Sequence, residues 1–138
     1  MIPSRRYVTP ILCLVLLFCW QSAGAMTDPY PLKPPDTSSP RATMKTLMDN
    51  MNRAYQKHLV RDYSEEIRIY LRRASGCFDL SEIAPNLVRD VGTETALLLK
   101  EVFDRIQMPP FEQIPDTSAV HSEGLTRWTV PNTEITIT

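Results

Sequence analysis

Histidine, cysteine and glycine are scarce, at two, three and four of 138 residues, and the formal net charge is only −1. Each shortage excludes something. The glycines stand at 24, 76, 92 and 124, so no glycine-rich phosphate loop and no Gly-x-Ser-x-Gly elbow can be written from them. His58 and His121 lie far apart, with no cysteine or carboxylate at ligand spacing, which argues against a metal site. A charge near zero supplies no basic face for nucleic acid. Beyond residue 25 no stretch approaches 18 consecutive apolar residues, so no membrane-crossing helix is expected there. Carboxylates are plentiful, as at Glu65-Glu66 and Glu101/Asp104, but they sit beside Lys and Arg, the pattern of solvated ion pairs rather than acid–base chemistry. No catalytic, cofactor-binding or metal-ligating residue is assigned, no small-molecule substrate is evident, and the chain reads as a non-enzyme.

What is present begins with an export signal. Arg5 and Arg6 precede an apolar run, Tyr7 to Trp20, and Ala23-Gly24-Ala25 places small residues at the −3 and −1 positions of a signal-peptidase site. The run is about 14 residues, short of the roughly 20 that span a bilayer. Residues 1–25 are read as a cleaved secretory signal, with an uncleaved inner-membrane anchor as the alternative. Cys13 and Cys19 leave with the signal, and Cys77 remains alone, unable to form an internal disulfide. Its neighbours Phe78 and Leu80 suggest an apolar filler; an intermolecular link is the alternative. About 113 residues then remain, enough for one modest core.

Proline is the abundant residue, at 12. Five prolines between 29 and 40 make residues 26–39 an extended or disordered arm. Ser39-Pro40 starts a helix, serine as cap and proline at the first helical position. Met44, Leu47, Met48, Met51, Ala54, Tyr55 and Leu59 form its stripe, predicting core packing, with an adaptable contact surface as the lesser alternative. Asp62 and Glu65 have capping-box spacing for a second helix, with Ile67, Tyr70, Leu71 and Ala74 inward and Arg68, Arg72 and Arg73 facing water. Gly76 ends it in left-handed geometry. A third helix is predicted over Asn86–Gln107, its buried stripe being Leu87, Val88, Val91, Thr95, Leu98, Leu99, Val102, Phe103 and Ile106. Gly92 is its weak point, and Pro109-Pro110 stop it.

The helical domain is thus expected over 40–116, with a core of Leu47, Met51, Tyr55, Ile67, Leu71, Leu98, Val102 and Ile106. Residues 117–138 are read as loop and β-hairpin, because Trp128/Val130 and Ile135/Ile137 alternate about Pro131-Asn132. The fold class is mainly α: three principal amphipathic helices and a short C-terminal hairpin opening an incomplete β region.

Three blocks carry a resemblance: PPDTSSPRATMKTLMDNMNRAY (34–55), CFDLSEIAPNLVRDVGTETALLLKEVFDRIQMPPFEQIPD (77–116) and LTRWTVPNTEITIT (125–138). In this order they resemble the N-terminal extramembrane region of bacterial small-conductance-type mechanosensitive ion channel proteins. The resemblance implies a secretory signal, a periplasmic helical and β region, then transmembrane helices and a cytoplasmic channel domain. Asn132 stands where glycine is expected, a departure that left-handed geometry tolerates. The chain stops at Thr138, before any such transmembrane part, so the expectation is a truncated copy that cannot conduct ions alone. Its implied partners are a membrane channel or further copies of itself. The alternative is a free-standing periplasmic protein-interaction module, using the methionine stripe or Trp128.

Overall fold

Ser39 sets the first element. In a computed structural model that describes residues 34–138, α1 (Pro40–Leu59) begins where Ser39 Oγ accepts from the Ala42 amide at 3.2 Å, and Pro40 takes the first helical position. The signal assigned to 1–25, with Cys13 and Cys19, and residues 26–33 of the arm lie outside the described residues. Pro34–Ser38 pack against the helices: the Asp36 carbonyl accepts from Thr46 Oγ1, and Pro35 lies against Gly76.

Met44, Leu47, Met51 and Ala54 are buried along α1 and Met48 packs beside them, so the methionine stripe is core and offers no contact surface. Tyr55 (57% exposed) and Leu59 are not core, contrary to expectation. The last turn of α1 meets the polar start of α2 (Glu65–Ser75), where Lys57 reaches Glu66, and the apolar side of that turn is left uncovered.

The expected capping box at α2 does not form. Ser64 is the cap, while Asp62 is drawn back to close the α1–α2 turn, accepting from the Ser64 amide at 3.1 Å and pairing with Lys57. Tyr70 and Ala74 are buried, Ile67 and Leu71 half-buried, and Arg73 is half-buried rather than fully in water. Gly76 also differs from expectation: its φ is −70°, right-handed. What requires glycine there is space, since a Cβ would stand 2.7 Å from Pro35 Cγ.

The third helix, α3 (Val88–Phe103), is shorter than predicted and buries only part of the expected stripe: Phe103 is buried and Leu99 and Ile106 pack on the core. Gly92, Ala96 and Phe103 are buried, whereas Leu98 (61%) and Val102 (42%) are exposed, as is Leu87. Small side chains decide this phase. A Cβ at Gly92 would lie 2.9 Å from both Ser75 Cβ and Leu80 Cδ1, so α3 approaches α2 through its glycine. The predicted weak point is the contact point. After Phe103 the chain tightens, with the Arg105 amide bonding the Val102 carbonyl at 3.0 Å, and Ile106 and Met108 turn onto the core.

Beyond the prolines come a 3₁₀ turn (Phe111–Gln113) and a helix missed by the loop assignment, α4 (Thr117–Glu123). Asp116 caps α4 through the Ala119 amide at 2.9 Å, and Gly124 closes it at φ 61°. The hairpin follows as expected: β1 (Trp128–Thr129) pairs antiparallel with β2 (Thr136–Ile137), Trp128 opposite Ile137 and Thr129 opposite Thr136. The Thr133 amide bonds the Val130 carbonyl across Pro131-Asn132, and Asn132 adopts φ 60°. Proline before a left-handed residue is the signature of a type II turn.

The fold is mainly α with a C-terminal hairpin. Its core joins Met44, Leu47 and Met51 of α1, Ala74 of α2, Ala96 and Phe103 of α3, Ile114 and Val130. Among the described residues no helix is long and apolar enough to cross a membrane.

Candidate functional site

Arg41, in the first turn of α1, holds the segment after the prolines. Its Nε donates to the Ile114 carbonyl at 2.7 Å, Nη2 to the Glu112 carbonyl at 2.8 Å, and Nη1 to Asp116 Oδ2 at 3.2 Å. The Arg41 amide adds a bond to the Pro115 carbonyl at 3.0 Å. A planar guanidinium with several fixed donors suits this fan of acceptors in a way an ammonium would not. The Ala119 amide and the Arg41 charge hold the Asp116 carboxyl below its ordinary range, against the effect of burial. Between them Ile114 is 1% exposed. This is what the proline-stiffened exit from α3 achieves: it carries the chain back to the start of α1, where Ile114 fills the core.

Cys77 stands on the wall of a cleft of about 570 Å³ bounded by Met44 and Leu47 of α1, Phe103 of α3 and Ile135 to Ile137 of the hairpin. Its Sγ lies 3.8 Å from the Thr43 and Arg73 carbonyls. Burial pushes the thiol up to about 11, so it stays protonated at neutral pH and is a poor nucleophile or metal ligand. Half-buried and packed on the core, Cys77 behaves as the apolar filler its neighbours suggested.

His58 and His121 are both exposed and belong to separate elements, and His58 meets the Tyr63 ring edge-on at 5.8 Å. Among the described residues no group of three or more His, Cys, Asp or Glu is placed to hold a metal ion. The acidic pairs are each held by cations. Glu65 pairs with Arg68, Glu66 with Lys57 at 2.6 Å, Glu101 with Arg105 at 3.0 Å and Asp104 with Lys100 at 2.5 Å. Lys57 also takes Asp62 at 2.8 Å. Asp62 and Glu66 raise the Lys57 pKa, and Lys57, with help from Ser64, lowers that of Asp62.

An open groove of about 1130 Å³ lies between α2 and α3, lined by apolar Leu71, Phe78 and Leu97 and by charged Arg68, Arg72 and Glu94. Leu98 and Val102 stand exposed on the same helix as Leu97. Trp128 is half-buried against the core and offers little surface of its own.

Neither Arg41 nor the open face of α3 was singled out from the sequence. Nothing in local spacing links residue 41 to residues 112–116. The two-sided apolar character of α3 was visible in Leu97-Leu98-Leu99, a run that no single stripe can accommodate. No family model, curated protein or solved structure matches the chain.

Proposed function

We propose that this chain is a non-catalytic, exported module of the kind found outside the membrane in small-conductance-type mechanosensitive channel proteins, and that it works by docking. The observation that carries the reading is that α3 is apolar on two faces. Gly92, Ala96 and Phe103 fill the interior, while Leu98 and Val102 are left exposed beside the groove that contains Leu97. Isolated apolar side chains on a surface are ordinary, but a contiguous set on a helix bordering an apolar groove marks a contact site. The proposed partner is a membrane channel in the envelope. Among the described residues no helix is long and apolar enough to cross a membrane, and the proposal assigns conduction to the partner. Local chemistry favours docking over catalysis, since the candidate acids are ion-paired and the one described thiol is protonated.

Co-purification from envelope fractions tests this. The native chain is expected to travel with an integral membrane protein, and Leu98→Asp is expected to release it while leaving its helical circular dichroism unchanged. Recovery of the native chain free of any membrane protein would overturn the channel relation and leave a free-standing interaction module in its place.

A further inference from the structure

The turn between α1 and α2 carries a second, separate apolar cluster. Tyr55, Leu59, Val60 and Tyr63 are all more than half exposed, Val60 at 72% and Tyr63 at 67%. Tyr55 and Leu59 lie one turn apart on α1, and Tyr63 folds back onto His58 beside them. The turn is well fixed. The Arg61 amide bonds the His58 carbonyl and the Asp62 amide the Lys57 carbonyl, each at 3.0 Å, with Arg61 in left-handed geometry at φ 55°.

Charge around this cluster is biased in one direction. Lys57 holds both Asp62 and Glu66, and Arg68 holds Glu65; with Arg53 and Arg61 added, residues 53–68 carry four cations against three carboxylates. Among the described residues neither Arg61 nor Arg53 has an ion-pair partner, and Arg53 lies over the Tyr70 ring at 5.8 Å. A tip that presents two tyrosines, two aliphatic side chains and unpaired arginine is suited to one kind of surface. Tyrosine prefers the boundary between headgroups and acyl chains, aliphatic side chains enter just below it, and cations are drawn to anionic headgroups.

We propose that the α1–α2 tip is a shallow contact for anionic phospholipid, with Tyr55, Leu59, Val60 and Tyr63 entering the headgroup–acyl boundary and Arg61 meeting lipid phosphate. The contact lies on the surface and spans nothing. It uses residues distinct from Leu98 and Val102, so it stands or falls apart from the docking role of α3.

The test is nuclear magnetic resonance of the full chain with phosphatidylglycerol bicelles carrying a nitroxide lipid. The amide signals of Val60, Arg61 and Tyr63 are expected to be attenuated more strongly than that of Leu98. Leu59→Asp/Val60→Asp should abolish this difference, whether or not the apolar Tyr7–Trp20 segment binds the bicelle. Arg61→Asn should weaken binding about fivefold, the effect of one basic residue at an anionic surface, because asparagine retains the left-handed turn while removing the charge. Tip signals attenuated no more than that of Leu98 would overturn the proposal. So would tip substitutions that instead dissolve a self-associated species in lipid-free solution, since the cluster would then be a protein contact.

Discussion

The two ends of α1 are built in opposite ways. At the first, Arg41 makes three side-chain bonds and one backbone bond to residues 112–116, and the apolar side chain brought in with them, Ile114, disappears into the core. At the second, about 30 Å away along a 20-residue helix, Lys57 gathers Asp62 and Glu66 just as firmly, yet Tyr55, Leu59, Val60 and Tyr63 stay in solvent. Polar fastening therefore does not imply apolar burial. The first end closes a core; the second holds a turn in shape while keeping its apolar side chains available.

Substitutions should separate the two ends sharply. Ile114→Ala removes a fully buried side chain and is expected to cost about 2–5 kcal/mol in denaturant unfolding. Arg41→Met should cost less, about 1–3 kcal/mol, by leaving the Ile114 and Glu112 carbonyls without their donor. Arg41→Lys should restore little of this, because an ammonium cannot serve three divergent acceptors. Equal stability of Arg41→Met and the native protein would break the comparison at its first end.

Gly92→Ala sharpens it from within the core. Alanine is the better helix former by about 1 kcal/mol, but its Cβ would meet Ser75 Cβ and Leu80 Cδ1 at 2.9 Å. Net destabilisation is expected, with partial recovery in Gly92→Ala/Ser75→Gly, read as a shift in melting temperature. A stabilised Gly92→Ala would mean that α3 does not approach α2 through this residue.

Acid gives a smaller effect that touches both ends. Asp116 and Asp62 have folded-state pKa values below the ordinary 3.8. A depressed carboxylate adds stability that is present above pH 3.8 and is lost as pH falls through the lowered folded value. Lys57 has a raised pKa, so its contribution is present below the ordinary lysine value of 10.5 and is lost only in strong base. Stability should thus be flat with respect to these groups between those limits and fall below pH 3.8. Asp116→Asn should shallow that acid slope in a titration of unfolding free energy.

Much of this architecture was legible in residue types and spacing. Ser39-Pro40 fixed the start of α1, and the alternation about Pro131-Asn132 foretold the hairpin, whose register the structure supplies. The phase of α3 was only partly legible: the expected stripe held Leu99 and Phe103, which pack inward, together with Leu98 and Val102, which do not, and it omitted Gly92 and Ala96. Packing chose the face with Gly92, where an added Cβ would meet Ser75 and Leu80 at 2.9 Å. Tyr55 continued the stripe of α1 on paper, but a stripe is buried only where something lies opposite, and its last turn faces the polar start of α2. Asp62 had the spacing of a cap and was taken instead by Lys57, a competition invisible to local rules. α4 was the most recoverable omission, with Asp116 ahead of it and Gly124 behind.

The contrast between the ends of α1 is tested most directly by denaturant unfolding of Val60→Ser/Tyr63→Ser beside Ile114→Ala. The tip pair lies outside any helix, so its midpoint should stay within about 0.5 kcal/mol of native, while Ile114→Ala falls far below. A loss in the double variant as large as that of Ile114→Ala would mean that the tip side chains are part of the core, and that no open apolar surface exists there.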